Sequence, residues 1–330
     1  MSKKLAAPPV AIDLFCGAGG SSWGARNAGA KILAGFDMWS LAGEVYKDNF
    51  PEARFYESSL ENIDPTAVAK ELGRVDLMLA SPECTNHSVA RGTDDRDEKS
   101  KETALQVTRF AEAIKPRWIV IENVGGMKSW SMYGVFLDGL AGLGYHTREQ
   151  ILNAARLGVP QSRKRLFILC DKQNKPSPIP MSTATPISAR EVIDWNGTHK
   201  YSPLHQEKRA EGTLERAYRA IQALGSREPF LLVYYGTDKG GGWQSVDVPL
   251  RTITTLDRFA LVRPNGGDHE MRMLQPPELR AAMGMPKAFR LRHGNRRERI
   301  KLLGNAVCPP VMRRVVSNMT RSSASDRHDR

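Results

Sequence analysis

Residues 75–84 read VDLMLASPEC, a largely apolar run that ends at a proline and a cysteine. A short run of this kind predicts a buried strand of a parallel sheet. Cys84 would then follow the carboxyl end of the strand, where open α/β sheets place their ligand sites. The alternative for Cys84 is a buried structural cysteine, because free cysteines are among the most buried residues.

Short apolar runs and amphipathic stretches alternate up to about residue 171. This alternation predicts an α/β fold, with a parallel sheet covered by helices on both faces. The predicted strands are residues 10–15, 32–36, 75–80, 118–121 and 166–170, and the predicted helices are residues 22–28, 41–49, 103–114 and 133–143. Later in the chain, residues 174–188 predict a linker, residues 207–224 a helix and residues 229–235 a strand.

The composition favours a polyanion as partner. The formal net charge is +12, although a merely soluble basic protein would have the same excess. No apolar run approaches the roughly 20 residues needed to span a bilayer, and residues 1–9 are too short and too weakly apolar to predict a secretion signal. The four cysteines are widely scattered, without the spacing of metal ligands. We therefore expect a protein of a reducing compartment, with no metal and no membrane partner.

A glycine-rich turn follows the first predicted strand, where residues 13–20 read DLFCGAGG. Glycines let the backbone approach a ligand closely, and the following helix offers free amide donors. Asp37 ends the next predicted strand, where an acidic residue can bind the ribose hydroxyls of a nucleotide. The alternative for Asp37 is a helix N-cap.

Charged side chains also follow the other predicted strands. Glu122 ends the strand at residues 118–121, and a carboxylate there is costly unless it is paired or used. Its alternative is a helix cap. Arg163 and Arg165 alternate on one face of a strand, where two guanidinium groups can stabilise anionic species. Residues 94–101 are highly charged and predict a mobile loop over the site, or only a solvated surface.

The order of these segments, followed by GNAVCPP at residues 304–310, resembles the DNA cytosine C5-methyltransferases. The resemblance covers most of residues 10–170 and 250–316. The family's usual Pro-Pro-Cys-Gln reads PECT at residues 82–85, which resembles a Ser-Pro-x-Cys branch of bacteria and their phages. Ser59 stands where an acidic residue commonly meets the adenine, and Ala306 stands where the family usually has serine.

The resemblance implies a Rossmann-like, S-adenosylmethionine-dependent methyltransferase sheet with a smaller, less regular target-recognition domain. Residues 1–175 would form the catalytic and cofactor-binding domain, completed by residues 299–320. Residues 176–298 would form the target-recognition domain, and residues 321–330 a disordered tail.

The implied reaction transfers a methyl group from S-adenosylmethionine to C5 of a cytosine that is flipped out of duplex DNA. The Cys84 thiolate would add to C6, and Glu122 would hydrogen-bond N3 and N4 of the base. Arg163 and Arg165 would complete the catalytic set. Glu83, directly before the nucleophile, would point toward this arginine pair or toward solvent.

The resemblance also implies the contacts of both substrates. Phe15 and Met38 would pack on the adenine of the cofactor. The implied cofactor-binding residues are Asp13, Phe15, Cys16, Gly17, Gly19, Gly20, Asp37, Met38, Ser59, Pro82, Asn305, Ala306 and Val307. The implied DNA-binding residues are Ser88, Arg91, Gln161, Arg290, Arg292, Arg296 and Arg297, of which the arginines of residues 290–297 form a phosphate grip or only a solvated surface.

We therefore expect a monomeric DNA (cytosine-5-)-methyltransferase of restriction-modification type, which acts on double-stranded DNA. It would be cytoplasmic, and nucleoid-associated in a bacterial or phage-infected cell. Two alternatives remain. One is a cytosine C5-methyltransferase of transfer RNA, which would need less of the segment between residues 171 and 251. The other is a non-catalytic relative that binds DNA.

Overall fold

The computed structural model describes residues 7–82, 95–197, 199–235 and 241–325, and the side chains of these residues outside 95–102 and 321–325. Glu83, Cys84, Ser88 and Arg91 therefore lie outside the described residues. The strands are β1 (Val10–Leu14), β2 (Lys31–Asp37), β3 (Arg54–Glu57), β4 (Leu77–Ala80), β5 (Trp118–Asn123), β6 (His146–Asn153), β7 (Gln161–Ser162), β8 (Lys164–Asp171), β9 (Ser202–Pro203), β10 (Phe230–Val233), β11 (Trp243–Ser245), β12 (Leu250–Arg251), β13 (Phe259–Asn265) and β14 (Asp268–Met273). The helices are α1 (Gly20–Asn27), α2 (Ser40–Asn49), α3 (Pro65–Leu72), α4 (Asp95–Ile114), α5 (Tyr133–Gly142), α6 (Glu211–Leu224), α7 (Pro276–Ala282), α8 (Arg296–Asn305) and α9 (Pro309–Ser325).

A seven-stranded sheet forms the centre of the fold, in the order β3-β2-β1-β4-β5-β8-β6. The five strands from β3 to β5 pair in parallel, which confirms the predicted α/β class. Strand β8 runs antiparallel to both β5 and β6. The short connection between β6 and β8 explains this reversal, because parallel neighbours need a crossover of a dozen or more residues.

Helices cover both faces of this sheet, as the sequence predicts. Consecutive strand residues point to opposite faces, so Ala11 belongs to one apolar core and Ile12 to the other. Helices α1, α2 and α9 pack on the face of Ala11. Helices α3, α4 and α5 pack on the face of Ile12.

A second, five-stranded antiparallel sheet has the order β11-β10-β13-β14-β9 and packs against α6. The core on the α1 side of the large sheet continues through Leu250, Phe259 and Leu279. The residues expected to form a separate target-recognition domain therefore share a core with the catalytic domain. The expected linker also packs on this body, since Gln150 of β6 exchanges hydrogen bonds with both backbone groups of Ile179.

Two segments expected to be irregular contain helix. The predicted charged loop at residues 94–101 overlaps α4, which begins at Asp95. That loop prediction was wrong from residue 95 onward, because a run of Asp, Glu, Lys and Arg without Gly or Pro is compatible with a helix. At the other end, α9 extends to Ser325 and includes the first five residues of the expected tail at 321–330.

Candidate active site

A cleft of about 620 Å³ opens at the carboxyl ends of β1 and β4, a size typical of ligand sites. The strand order reverses at this point, because β1 leads to β2 on one side and has β4 on the other. Open α/β sheets bind ligands at such a switch point, since the loops that leave the two strands diverge and leave a crevice.

The glycine-rich turn forms one wall of the cleft, and Asp37 fixes it. The backbone N–H of Gly17 donates to Asp37 Oδ2 at 2.8 Å, and the N–H of Trp39 donates to Oδ1 at 2.9 Å. Burial raises the pKa of Asp37. Helix α2 begins at Ser40 after Trp39, with no side-chain cap, so Asp37 is not the helix N-cap that the sequence left open.

Most of the predicted cofactor-binding residues line this cleft. They are Phe15, Cys16, Gly17, Asp37, Met38, Ser59, Pro82, Asn305, Ala306 and Val307. Phe15 has φ 55°, a left-handed backbone that is uncommon for a bulky side chain, and strain of this kind is often found at ligand sites.

Asp13, Gly19 and Gly20 are not among the described residues that line the cleft, and they support it from behind. Asp13 is fully buried, and its Oδ2 accepts from Ser22 N and from Ser22 Oγ. A Cβ on Gly20 would lie 2.3 Å from the carbonyl oxygen of Val307. Gly20 therefore allows the C-terminal GNAV segment to pack directly on the start of α1.

The cleft has a polar group that is ready for a ligand. The Ser81 hydroxyl is buried and has no hydrogen-bond partner in the part of the chain that the structure describes. It lies in the cleft wall at the end of β4. Buried hydroxyls are almost always satisfied, so this one fits a ligand that brings a polar atom to it.

Glu122 lies at the end of β5 and faces the same cleft. Its Oε1 is 3.2 Å from Nε of Arg165, and only 9% of its side chain is exposed. Burial raises the pKa of Glu122, and Arg165 and Arg163 lower it by smaller amounts. The next helical turn has Val124 as N-cap with no side-chain bond, so Glu122 is not a helix cap. The site therefore favours a protonated carboxyl more than solvent does.

Asn123 connects this strand end to the segment that leads to Cys84. Its Nδ2 donates to the carbonyl oxygen of Pro82 at 3.2 Å, and its Oδ1 accepts from Val124 N. The sequence singled out Glu122 but gave Asn123 no role. In the structure, Asn123 links the end of β5 to Pro82, which follows β4.

Arg163 is buried, and its guanidinium group binds the backbone of two distant segments. Nη1 donates to the carbonyl oxygen of Ile253, and Nη2 donates to those of Gly304 and Ala306. Burial, with a smaller contribution from Arg165, lowers the pKa of Arg163 to about 10. Arg163 thus braces the cleft, whereas Arg165 has the direct contact with Glu122.

One predicted DNA contact needs correction, because its side chain is used inside the protein. Gln161 is fully buried, and it bonds the backbone of Ile253 and of Ala282. Arg296 pairs with Asp257 and donates to the carbonyl oxygen of Leu274. A sequence gives the residue type but not the burial, so Gln161 was taken for a surface group, whereas the Arg296 side chain is 35% exposed.

The other predicted phosphate contacts remain on the surface. Arg290, Arg292 and Arg297 are exposed. Nη1 of Arg290 donates a hydrogen bond to the carbonyl oxygen of Asp48. Within the described ranges, the side chains of Arg292 and Arg297 form no hydrogen bond or ion pair. These two cations are therefore available to a polyanion.

Two cleft residues, Trp39 and Glu61, had no predicted role. Trp39 lines the cleft, and Nζ of Lys301 lies 4.6 Å from the centroid of its ring. Thr252 to Thr255 form another part of the wall. Glu61 lines the cleft and accepts a hydrogen bond from Ser59. A carboxylate is thus present two residues after the position where the sequence shows serine.

Arg109 of α4 holds the loop that carries Ser59 and Glu61. Its Nη2 donates to the carbonyl oxygens of Leu60 and Ile63.

The described part of the chain contains no helix long and apolar enough to cross a membrane. Among those same residues, no group of three or more His, Cys, Asp or Glu side chains is placed to hold a metal ion.

A family model described as C-5 cytosine-specific DNA methylase matches residues 10–321. The Type II methyltransferase M.AgeI of Thalassovita gelatinovora is 37% identical over 164 residues, which are 48% of this chain and 38% of that protein. This chain thus spans well under half the length of that relative. The tRNA (cytosine(38)-C(5))-methyltransferase of Spodoptera frugiperda is 23% identical over 90% of this chain and 94% of its own.

Solved structures share the fold over nearly the whole chain. A DNMT2 mutant from Spodoptera frugiperda aligns with a TM-score of 0.70 and 19% identity, covering 94% of this chain and 99% of that one. A putative DNA modification methyltransferase encoded within a prophage of E. coli aligns with a TM-score of 0.67 and 16% identity, covering 95% and 99%.

Proposed function

Because the chain belongs to the C-5 cytosine-specific DNA methylase family, we propose that it methylates C5 of a flipped-out cytosine in duplex DNA through a covalent adduct with Cys84. The observation that carries the proposal is the buried Glu122–Arg165 pair at the end of β5. This pair faces a cleft whose other wall is the glycine-rich turn. An acid for the base and a pocket for a nucleotide-like cofactor therefore meet in one cleft.

Glu122 supplies the groups that a cytosine ring needs. In its protonated form it donates to N3 and accepts from the N4 amino group. The raised pKa that burial gives Glu122 favours this form. Arg165 lies against the carboxyl group and stabilises it when the proton moves to N3.

Cys84 is the proposed nucleophile. It follows Pro82 by two residues, and the bond from Asn123 places Pro82 beside the end of β5. Addition of the thiolate to C6 makes C5 nucleophilic, and C5 then takes the methyl group. Loss of the C5 proton and of the thiol releases the product.

S-adenosylmethionine supplies the electrophilic methyl group. Asp37, Phe15 and Met38 line the cleft; Asp37 would accept from the ribose hydroxyls, and Phe15 and Met38 would pack on the adenine. Asn305, Ala306 and Val307 close the cleft from the C-terminal side. The unpartnered Ser81 hydroxyl would find its missing hydrogen bond on this ligand.

Replacing Asp37 with alanine is expected to weaken S-adenosylmethionine binding by about 1–3 kcal/mol, the loss of a charge-assisted hydrogen bond. The loss also frees Gly17 N, which loosens the turn. Isothermal titration calorimetry measures the effect. Asp64→Ala is the matched control, because Asp64 caps α3 and is not among the described residues of the cleft wall. An unchanged affinity in Asp37→Ala would remove Asp37 from the cofactor site.

Transfer RNA is the second candidate substrate, and a specific observation favours it. The relatives aligned over most of their own length include the tRNA methyltransferase of Spodoptera frugiperda. The length of residues 171–251 was expected to argue for DNA, but that enzyme matches the chain nearly end to end. The excess of positive charge suits either nucleic acid.

A methyl-transfer assay separates the candidates. Purified protein is incubated with tritiated S-adenosylmethionine and either plasmid DNA or total tRNA, both from a host without cytosine methylation. We expect label in DNA, sensitive to DNase, and none in tRNA. Label in tRNA alone would establish the second candidate. Binding to DNA without label in either would establish a non-catalytic relative.

The exposed arginines are expected to set the salt dependence of DNA binding. Replacing Arg292 and Arg297 together with alanine should reduce the slope of log affinity against log salt by about 2, since each lost phosphate contact changes it by about 0.9. Fluorescence anisotropy at several salt concentrations measures the slope. Arg296→Ala should instead lower thermal stability, because it leaves Asp257 without its partner. An unchanged slope in the double variant would mean that phosphates are bound elsewhere.

A further inference from the structure

Leu256 stands out among the exposed apolar side chains because of its place. It is 57% exposed, and it directly follows Thr252 to Thr255, which line the cleft. An exposed leucine therefore follows, in the chain, the segment that lines the cavity containing Glu122. Asp257 and Arg258 come next, so an apolar tip is followed by two charged residues.

The backbone that carries Leu256 is held from several sides. The Thr254 hydroxyl bonds both N and O of Leu256 at 3.3 Å. Asp257 pairs with Arg296, and Arg258 Nη1 donates to the carbonyl oxygen of Tyr234 at 2.5 Å.

Gly304 of α8 packs against the backbone of Thr254 and Thr255, directly before Leu256. A Cβ on Gly304 would lie 2.4 Å from the backbone of Thr254 and 2.5 Å from that of Thr255. The segment before Leu256 is therefore packed closely against α8.

A single exposed apolar residue is ordinary on a protein surface. Val248, for example, is 47% exposed and lies in a turn before β12, without a place among the described residues of the cleft wall. Leu256 differs from it in two ways. It directly follows the segment that lines the cleft of Glu122, and its backbone is clamped by residues that also build the cleft.

We propose that Leu256 is a positioning residue that inserts into the DNA stack beside the target cytosine and stabilises the duplex after the base has left. Proteins that open a duplex commonly insert an apolar wedge between base steps, because it replaces part of the lost stacking. The proposal rests on the proposed function, since it requires a duplex substrate from which a base is taken.

The test uses a short duplex containing the site that bisulfite sequencing identifies in DNA from cells expressing the protein. One version has guanine opposite the target cytosine, and the other has an abasic site there. An abasic partner removes the pairing that must be broken, so flipping is easier. The variants are Leu256→Ala, Leu256→Met and the matched control Val248→Ala, and the measured quantity is kcat/KM for methyl transfer on each duplex.

Leu256→Ala is expected to lose about 10-fold or more in kcat/KM on the paired duplex, since unstacking a base step costs a few kcal/mol. On the abasic duplex it should be close to the wild type. Leu256→Met and Val248→Ala should keep wild-type values on both. Cofactor affinity in Leu256→Ala, measured by calorimetry, should not change.

Two results would overturn the wedge while leaving the proposed function in place. They are wild-type kcat/KM for Leu256→Ala on the paired duplex, and an equal loss on both duplexes. If the wild-type protein methylates neither duplex nor any other DNA, the proposed function fails, and the wedge fails with it.

Discussion

Replacement of Cys84 by alanine is expected to lower the rate of methyl transfer by at least about 10³-fold, the scale of losing a covalent nucleophile. Cytosine C5 is unreactive until a nucleophile has added to C6, and Cys84 is proposed for this part. Cofactor affinity should be unaffected, because Asp37 holds the glycine-rich turn through Gly17 N. Single-turnover methyl transfer and calorimetry with S-adenosylmethionine measure the two quantities.

The three remaining cysteines provide the control. Cys16, Cys170 and Cys308 are buried, and burial raises the pKa of each thiol. They are therefore poor sources of a thiolate. DNA with 5-fluorocytosine at the target should trap an adduct, because fluorine cannot leave as the C5 proton does. Peptide mapping should find the adduct on Cys84, and an adduct on Cys16, Cys170 or Cys308 would contradict the assignment.

Replacement of Glu122 by alanine is expected to lower kcat by about 10²–10³-fold, the usual cost of removing a group that stabilises developing charge. Glu122→Gln should lose less, because glutamine can still donate to N3 and accept from N4. It cannot transfer a proton, however, so it should remain below the wild type. Arg165→Lys tests whether the pair needs the planar guanidinium group, since lysine keeps a positive charge near Glu122 but lacks that group.

The pH profile identifies the protonation state of Glu122. Burial raises its pKa, so the protonated carboxyl persists to higher pH than in an exposed glutamate. The rate should fall as the pH rises through this raised pKa, because the donor to N3 is lost. Glu122→Gln has no proton to lose, and its profile should lack that falling limb. The same falling limb in Glu122→Gln would mean that another group titrates.

The central strands could be predicted from the sequence because they are buried on both faces. The observed β1, β2, β4, β5 and β8 match the predicted runs within a few residues. The edge strands β3 and β6 were missed. Strand β6 reads HTREQILN, and only one of its eight residues is buried. An edge strand of this kind has no hydrophobic pattern to detect, and only its pairing with β8 makes it a strand.

The candidate site was predictable where a residue's place follows from the end of a strand. Asp37 and Glu122 come directly from that rule, and both line the cleft. Residues that act across long separations in the chain were not predictable. Arg163 bonds the backbone of Ile253 and Gly304 in the folded protein, and nothing in the sequence near residue 163 indicates those partners. Gln161 was misassigned for the same reason.

One measurement tests the central claim most directly. The wild-type protein and Cys84→Ala are expressed in a host without cytosine methylation, and the nucleosides of DNA and of tRNA are analysed by mass spectrometry. The proposed function predicts 5-methyl-2′-deoxycytidine in DNA from the wild-type cells, at one recurring sequence by bisulfite mapping, and none with Cys84→Ala. DNA without 5-methylcytosine, or methylation that persists in Cys84→Ala, would contradict it.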